Sequence, residues 1–137
     1  MIVRAHIPGK PVSWKRARVN GRRHFTSPKD QAYRDRLRNA VVLYTLGAYP
    51  PIQAQWNLTI WVSMPMTKRK KPMVRTSDLD NFAKIVGDAL EGVLWENDKQ
   101  IVDLYVHHCA ATQGGGLWIE AVSGDPDQDP PAPPKWT

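Results

Sequence analysis

Residues 56–64 alternate between two kinds of side chain, and this alternation constrains the fold more than any other feature. Every second position of the stretch is large and apolar, whereas Asn57, Thr59 and Ser63 stand between them. A period of two residues is typical of a β-strand with one buried face. Such a face must be covered, and the rest of the chain favours helices as the cover.

The remaining elements are predicted in alternating order. Strand patterns occupy residues 1–7, 101–109 and 117–122, and helical patterns occupy residues 27–46 and the stretch from residue 77 onward. The run Ser27-Pro28-Lys29-Asp30 is a typical helix start, with a capping serine and a proline at the first helical position. The order β-α-β-α-β-β predicts an α/β (α+β) fold with a small mixed sheet and two helices. Residues 8–23 have neither period, which predicts a loop.

Chain length and proline distribution predict one domain followed by a short tail. A chain of 137 residues fits a single core, and five of its 12 prolines fall within residues 126–137. These prolines are mixed with Asp127 and Asp129, a composition that cannot pack a core. We therefore predict a domain over residues 1–122 and a disordered tail, rich in proline and aspartate, over residues 123–137.

The cysteine count and the apolar stretches predict the cellular location. Cys109 is the single cysteine, which excludes an internal disulfide and a Cys-rich zinc site and indicates a reducing compartment. No apolar stretch has the length of a membrane span, and the N-terminus lacks the apolar block of a signal peptide. The sequence predicts a cytoplasmic protein that does not bind membranes.

The charge is divided sharply along the chain. Residues 1–75 hold 16 Lys and Arg against two Asp, a net charge of +14, whereas residues 76–137 hold three Lys against eleven Asp and Glu, a net charge of −8. A chain of this kind either binds a polyanion with one part and uses carboxylates in the other, or neutralises itself internally. The charge pattern alone leaves both interpretations open.

The second helix is predicted to have two distinct faces. One face carries the polar residues Asp80, Asn81, Lys84 and Asp88. The opposite face carries the apolar residues Leu79, Phe82, Val86, Leu90 and Val93. This apolar stripe is compatible with the core of the domain and with a subunit interface.

Two carboxylates fall where the second helix begins. Asp78 lies at the helix start and Asp80 in its first turn, where the partial positive charge of the helix favours them. Ordinary capping by Ser77 and Asp80 accounts for the same residues. Lys84, four residues after Asp80, is likewise typical of a surface ion pair.

Asp98 favours a metal site over capping. It precedes a strand expected to lie beside the strand that leads into the helix, so we expect its carboxylate to meet those of Asp78 and Asp80. Three converging carboxylates repel one another unless a cation binds them, and Mg²⁺ prefers oxygen ligands. The sequence therefore predicts a Mg²⁺ site with Lys84 beside a bound phosphate.

Two segments closely resemble the signature of the RusA family of Holliday junction resolvases, which are small phage and bacterial endonucleases. The family pattern is roughly D-x-D-N-x-x-K on a helix, followed by D-D-x-Q-[IV] in a turn. It matches Asp78-Leu79-Asp80-Asn81-Phe82-Ala83-Lys84 and Asn97-Asp98-Lys99-Gln100-Ile101. The basic segment at residues 9–18 is similar to the family's opening segment, and the resemblance extends over residues 3–108.

The resemblance implies a Mg²⁺-dependent homodimer, with Mn²⁺ as a substitute, that nicks two opposed strands of a four-way DNA junction in recombination and repair. Carried over by position, Asp78, Asp80 and Asp98 are metal-binding catalytic carboxylates, and Lys84 is the essential lysine. The predicted DNA contacts are the basic residues Lys15, Arg16, Arg18, Lys68, Arg69, Lys70, Lys71 and Arg75.

Two positions need a separate interpretation. Asn97 stands where the family pattern has an aspartate, and we expect this departure to alter metal affinity more than mechanism. Asp88 matches a family aspartate but lies two turns after Asp80, so we expect it to pair with Lys84 rather than to bind metal.

Two other functions remain open on the sequence. The chain is also compatible with a non-catalytic basic DNA-binding protein that uses its acids only as helix caps, or with a nuclease for other branched DNA. Capping requires neither Asp98 nor Lys84, so their presence favours the endonuclease.

The aromatic residues and histidines carry weaker expectations. Trp56 and Trp118 fall in strand patterns and are predicted core residues, whereas Trp14 lies in the basic loop and is predicted to contact DNA. His107 and His108 are consecutive strand residues that point to opposite faces, so they cannot hold one ion together and are predicted to be structural.

Overall fold

The computed structural model describes residues 1–14, 18–20, 23–25, 27–45, 53–124, 132, 133 and 135, with the main chain alone for 18–20 and 23–25. The elements in chain order are β1 (Ile2–Pro8), β2 (Arg18–Asn20), β3 (Arg23–Phe25), α1 (Pro28–Tyr44), β4 (Gln55–Pro65), α2 (Leu79–Ala89), a 3₁₀ turn (Asp98–Gln100), β5 (Ile101–Thr112) and β6 (Gly116–Gly124). The predicted order β-α-β-α-β-β and the α+β class are confirmed by the main sheet and its two helices.

Several predicted boundaries differ from the structure. The end of the segment predicted to be a loop forms, with the residues that follow it, the antiparallel hairpin of β2 and β3. The sequence did not indicate this hairpin, because strands of three residues are too short to show a period. β5 and β6 continue to Thr112 and Gly124, beyond their predicted ends. Most of the predicted tail lies outside the described residues, so its disorder stays a prediction.

The main sheet has the strand order β1-β6-β4-β5. β6 is antiparallel to both of its neighbours, whereas β4 and β5 are parallel. A parallel pair needs a crossover connection, and α2 lies within the segment that joins these two strands. The pairing of Trp56 with Ile101 therefore brings the start of β5 beside the start of β4.

The buried core joins one face of the sheet to both helices. The inward residues of β4 are confirmed as buried: Trp56, Leu58, Ile60, Val62 and Met64. On the apolar stripe of α2, Phe82, Val86 and Leu90 are buried, and Leu79 and Val93 are partly buried against the same core. The stripe is thus part of the core of the domain.

Arginines of α1 stabilise the packing of the helices. Arg38 donates through Nη1 to the carbonyl oxygens of Ala89 and Glu91, at 3.2 and 3.0 Å. Arg34 Nη2 lies 3.6 Å from a carboxylate oxygen of Asp88. Part of the positive charge of the N-terminal half is therefore used within the fold.

The second face of the sheet carries a row of four aromatic rings. His6, Trp118, Trp61 and His107 occupy paired positions across all four strands. The rings of His6 and Trp118 stack at 4.4 Å between centroids, and those of Trp61 and His107 at 6.0 Å. The prediction that Trp118 belongs to the core is wrong, whereas Trp56 is confirmed as a core residue.

Trp95 connects the last turn of α2 to the segment that leads into β5. It is fully buried, and its Nε1 donates to the carbonyl oxygen of Gly87 at 3.0 Å. The last carbonyl groups of a helix have no partner within the helix, so this indole satisfies one of them. Its ring also meets the ring of Trp56 edge-on at 6.0 Å.

We predict that Trp95→Phe destabilises the fold more than Trp56→Phe does. Both residues are fully buried and lose the same atoms, but the Nε1 of Trp56 has no hydrogen-bond partner among the described residues. Trp95→Phe leaves the Gly87 carbonyl unsatisfied, at a cost of about 1–3 kcal/mol. Urea unfolding of both variants measures the difference, and equal decreases in stability would contradict this role of Trp95.

Candidate active site

The start of α2 is not held by side-chain capping. Asp78 is the N-cap residue, and its side chain makes no capping hydrogen bond. The hydroxyl of Ser77 instead lies 2.6 Å from that of Ser13, a residue of the segment after β1. The alternative in which Ser77 and Asp80 form a capping box is therefore not found, and both aspartates keep exposed carboxylates.

The polar face of α2 and the start of β5 enclose one pocket. Its volume is about 280 Å³, and its lining residues are Asp80, Ala83, Lys84, Gly87, Asp98, Ile101 and Leu104. Asp80, Lys84 and Gly87 share one face of α2 because they are spaced four and three residues apart. Three of the four predicted catalytic residues thus line the same cavity.

A tight network of hydrogen bonds positions Asp98. The side-chain oxygen of Asn97 accepts from the backbone N–H of Lys99 at 2.9 Å, which caps the 3₁₀ turn that Asp98 begins. The Oε1 of Gln100 accepts from the backbone N–H of Asn97 at 3.0 Å, and its Nε2 donates to the carbonyl of Ala54 at 2.9 Å. Asn97, the departure from the family pattern, therefore acts as the cap of this turn.

Asp98 lies beside the later turns of α2 rather than its first turn. A Cβ placed on Gly87 would lie 3.8 Å from the Cβ of Asp98. Asp80 precedes Gly87 by seven residues, a rise of about 10 Å along the helix. Among the described residues, no three His, Cys, Asp or Glu side chains are grouped to hold one ion, so the expected meeting of Asp78, Asp80 and Asp98 is not observed there.

The donor atoms of the pocket fit a hard divalent cation. Mg²⁺ is usually held by one or two carboxylates together with water and substrate phosphate oxygens. Asp80 and Asp98 supply two carboxylates to the pocket, and the side chain of Asp80 is 68% exposed. Asp78 stands at the adjacent helix start, outside the lining. The pocket therefore offers carboxylate oxygens of the kind that Mg²⁺ accepts, and Asp80 and Asp98 present them at levels about 10 Å apart along α2.

Lys84 is held between a carboxylate and an aromatic ring. Its Nζ lies 3.9 Å from an oxygen of Asp80 and 4.9 Å from the centroid of the Trp14 ring. The backbone N–H of Trp14 donates to the carbonyl of Asn81 at 2.9 Å, which fixes the ring beside α2. The cation–π contact with Trp14 is a feature that the sequence did not indicate, because 70 residues separate the two side chains.

The expected partner of Asp88 is wrong. Its carboxylate forms an ion pair with Arg34 of α1, whereas Lys84 pairs with Asp80. Lys84 leans toward the helix N-terminus, the direction that long helical side chains favour, and so reaches Asp80 rather than Asp88.

Arg75 lines a second, smaller cavity near the start of α2. The cavity has a volume of about 80 Å³, and Lys10, Lys29, Ser13 and Ser77 are also among its lining residues. The Nε and Nη1 atoms of Arg75 are buried there without a hydrogen-bond partner among the described residues. Buried guanidinium nitrogens without an acceptor favour the binding of an anion at this position.

The other predicted DNA contacts are only partly described. Residues 68–71 form a tight turn after β4, closed by a hydrogen bond from the N–H of Thr67 to the carbonyl of Lys71 at 2.7 Å. Their four basic side chains are exposed. Lys15 and Arg16 lie outside the described residues, and for Arg18 the main chain alone is described.

The comparison with protein families identifies the chain. The family model of endodeoxyribonuclease RusA matches residues 8–120, which is most of the chain and includes both walls of the pocket. The chain belongs to the RusA endodeoxyribonuclease family. This family comprises Holliday junction resolvases, so the resemblance carried by the two acidic segments is confirmed.

Two further findings concern this RusA family member. A search of curated proteins finds no match to it. In the part of the chain that the structure describes, neither helix combines the length and apolar character that crossing a bilayer requires. The predicted cytoplasmic location remains a prediction.

We predict that Mg²⁺ raises the melting temperature of the wild type more than that of Asp98→Asn. A ligand that binds the folded state stabilises it by about 2.7 kcal/mol at a hundredfold excess over its dissociation constant. Removal of one carboxylate weakens binding and reduces this increase. Thermal melts in EDTA and in millimolar Mg²⁺ measure it.

Asp88→Asn is the matched control, because it removes an equal charge from a carboxylate that pairs with Arg34 outside the pocket. We expect this variant to keep the full Mg²⁺ effect. Equal shifts in the wild type and Asp98→Asn would exclude Asp98 as a ligand.

Proposed function

We propose that the chain is a Mg²⁺-dependent endonuclease that resolves four-way DNA junctions by paired nicks. The observation that carries this proposal is the single pocket lined by Asp80, Lys84 and Asp98, within the region matched by the RusA family. A non-catalytic DNA-binding protein has no use for two acids and a lysine in one cavity, since carboxylates oppose the binding of phosphate.

Asp80 and Asp98 would hold the divalent cation, with Asp78 at the edge of the site. A divalent cation held by these carboxylates would supply Lewis-acid polarisation of the phosphodiester and would favour deprotonation of the attacking water. The side chain of Asp80 also orients Lys84, because an ion pair at 3.9 Å favours one rotamer of the lysine. Asp80 would therefore bind the cation and also position Lys84, whereas Asp98 would bind the cation alone.

Lys84 would stabilise the negative charge that develops on the phosphate. Its ammonium group lies on the wall of the pocket, and its side chain is 53% exposed, so a phosphate can reach it. The Trp14 ring covers one side of the ammonium and keeps water from that side. A pre-oriented cation of this kind contributes without reorganising during the reaction.

Arg75 would bind a phosphate of the DNA backbone next to the one that is cut. Its buried nitrogens have no acceptor among the described residues, and Lys10 and Lys29 add positive charge to the same cavity. The exposed lysines and arginine of the turn at residues 68–71 would extend this interaction along the DNA. Phosphate contacts of this kind position the substrate without selecting its sequence.

A homodimer would place two active sites on one junction. A four-way junction has two-fold symmetry, and a C2 dimer supplies two equivalent sites through one interface. The apolar stripe of α2 is unavailable for this purpose, because its residues lie in the core of the domain. The interface is therefore expected on another surface.

We predict that Asp80→Asn abolishes cleavage while junction affinity is kept or improved. The change removes a negative charge near the bound phosphate and also removes a carboxylate ligand. We expect the cleavage rate to fall by at least about a hundredfold, the scale of removing one group that stabilises charge in the transition state. The assay compares a mobile-core four-way junction with flap and linear duplex DNA, with and without Mg²⁺.

Asp88→Asn again serves as the control and should cut at the wild-type rate. If Asp80→Asn cuts as fast as this control, the site assignment is wrong. If the wild type cuts flap DNA better than the junction, the nuclease acts on other branched DNA.

The basic turn at residues 68–71 is predicted to contribute to junction binding. Replacement of Lys68, Arg69, Lys70 and Lys71 by Ala should weaken binding and lower the slope of log affinity against log salt concentration, by up to about 0.9 for each phosphate that the variant no longer neutralises. Arg4→Ala is the control, because Arg4 is exposed on β1 and pairs with Glu120 at 2.7 Å. A slope equal to that of the control would remove the turn from the DNA surface.

A further inference from the structure

β5 is an edge strand with one side free of strand partners. It pairs with β4, and no other described strand lies against its second side. The strand is 12 residues long, so it presents a long row of backbone N–H and C=O groups. Such an edge is a template for pairing with another strand.

The composition of β5 offers little protection against such pairing, since Asp103 is its one acidic residue. Its sequence contains no lysine, arginine or proline, and Val102, Leu104 and Tyr105 are 45, 49 and 57% exposed. The opposite edge of the sheet differs, because β1 has only seven residues, carries Arg4 and ends at Pro8. Proteins commonly block edges with charges and prolines, so β5 has the properties of an edge that is covered by a partner.

We propose that β5 pairs antiparallel with β5 of a second copy of this chain, about a two-fold axis that passes through Tyr105. A two-fold axis normal to the sheet keeps each side chain on its own face, so opposed residues must lie on the same face. Because side chains alternate between faces, opposed residues must be an even number of positions apart, and the axis must pass through a residue. The axis at Tyr105 sets Asp103 opposite His107 of the second copy on one face. On the helix-covered face it sets Leu104 opposite Val106.

Neighbouring positions of the axis are less favourable. An axis at Leu104 would set Asp103 against Tyr105, and an axis at Val106 would set Leu104 against His108. An axis at Asp103 itself would bring two like charges together, which destabilises a strand pair. Charge and polarity together therefore select Tyr105.

This interface rests on the proposed homodimer and extends it to the active site. Ile101 and Leu104 of this edge strand line the pocket, so a second copy paired with β5 would lie next to the pocket wall. The two pockets would open on the same face of one continuous sheet. The register shift between Trp56 and Asn57 leaves three strand steps between Ile101 and Tyr105, so the two Ile101 Cα atoms would be about 20 Å apart along the strands. Two-fold related sites on one face suit a substrate that is cut in paired strands.

Cysteine crosslinking tests the position of the axis. Residues opposed across antiparallel strands have Cα atoms about 4.5–5.5 Å apart, within the range of a disulfide. Tyr105→Cys, in a Cys109→Ser background that removes the native thiol, should form a covalent dimer on oxidation with diamide. Arg4→Cys in the same background places the thiol on the other edge of the sheet and should form at least about tenfold less. Equal crosslinking of the two variants would overturn the interface.

A charge exchange tests the register. Asp103→Lys sets a lysine opposite His107, and His107→Asp sets an aspartate opposite Asp103. Because the two-fold axis repeats each pair, we expect each single variant to raise the dimer dissociation constant by about tenfold. The double variant sets a lysine against an aspartate in each pair and should return the constant to near the wild-type value. Light scattering over a concentration series measures all four proteins.

The outcomes separate the interface from the rest of the proposed function. A double variant as weak as the singles would overturn the register at Tyr105. A wild-type dimer without crosslinking at residue 105 would overturn the β5 interface and leave the dimer standing. A wild-type monomer, alone and with DNA, would overturn both, whereas loss of metal-dependent cleavage in Asp80→Asn would still support the active site.

Discussion

The parallel pairing of β4 with β5 is the constraint on which the rest of the structure depends. Two parallel strands need a crossover, and α2 lies within it, with its apolar stripe in the core and its polar face over β5. Because of the same pairing, β5 begins beside Trp56. Asp98, which precedes β5, therefore lies beside Gly87 near the end of α2 rather than beside the start of this helix. The shape of the candidate active-site pocket follows from this topology.

The pocket is stabilised mainly by neutral hydrogen bonds. Trp95 satisfies the Gly87 carbonyl, and Gln100 connects the turn of Asp98 to Ala54 before β4. These neutral bonds position the turn of Asp98, whereas Asp80 forms an ion pair with Lys84 at 3.9 Å. All three side chains are exposed at the pocket, as the proposed binding of a cation and a phosphate requires.

The charge asymmetry of the chain has two uses. The α1 residues Arg34 and Arg38 hold the C-terminal part of α2 and the segment after it, so they contribute to the fold. Arg75 and the basic residues of the turn at 68–71 form no ion pair with a carboxylate in the described part of the chain. Their positive charges therefore support the proposed DNA contact. Internal neutralisation thus describes the arginines of α1, whereas polyanion binding is the interpretation proposed for Arg75 and the turn at residues 68–71.

The sequence by itself determined what depends on local periodicity. The order of strands and helices, the buried face of β4 and the shared face of Asp80 and Lys84 follow from spacing along one element. The two acidic segments were also sufficient to indicate the family, because their motif lies within short runs of sequence.

Tertiary structure alone decided the contacts between distant segments. The partners of Lys84 and Asp88 depend on where Trp14 and α1 lie against α2. The position of Trp118 outside the core was also undetermined, because β6 carries apolar residues on both faces and its period does not say which face is buried. The level of Asp98 along α2 depended on the direction of β5. Strand direction is a property of the pairing between strands, and no local pattern encodes it.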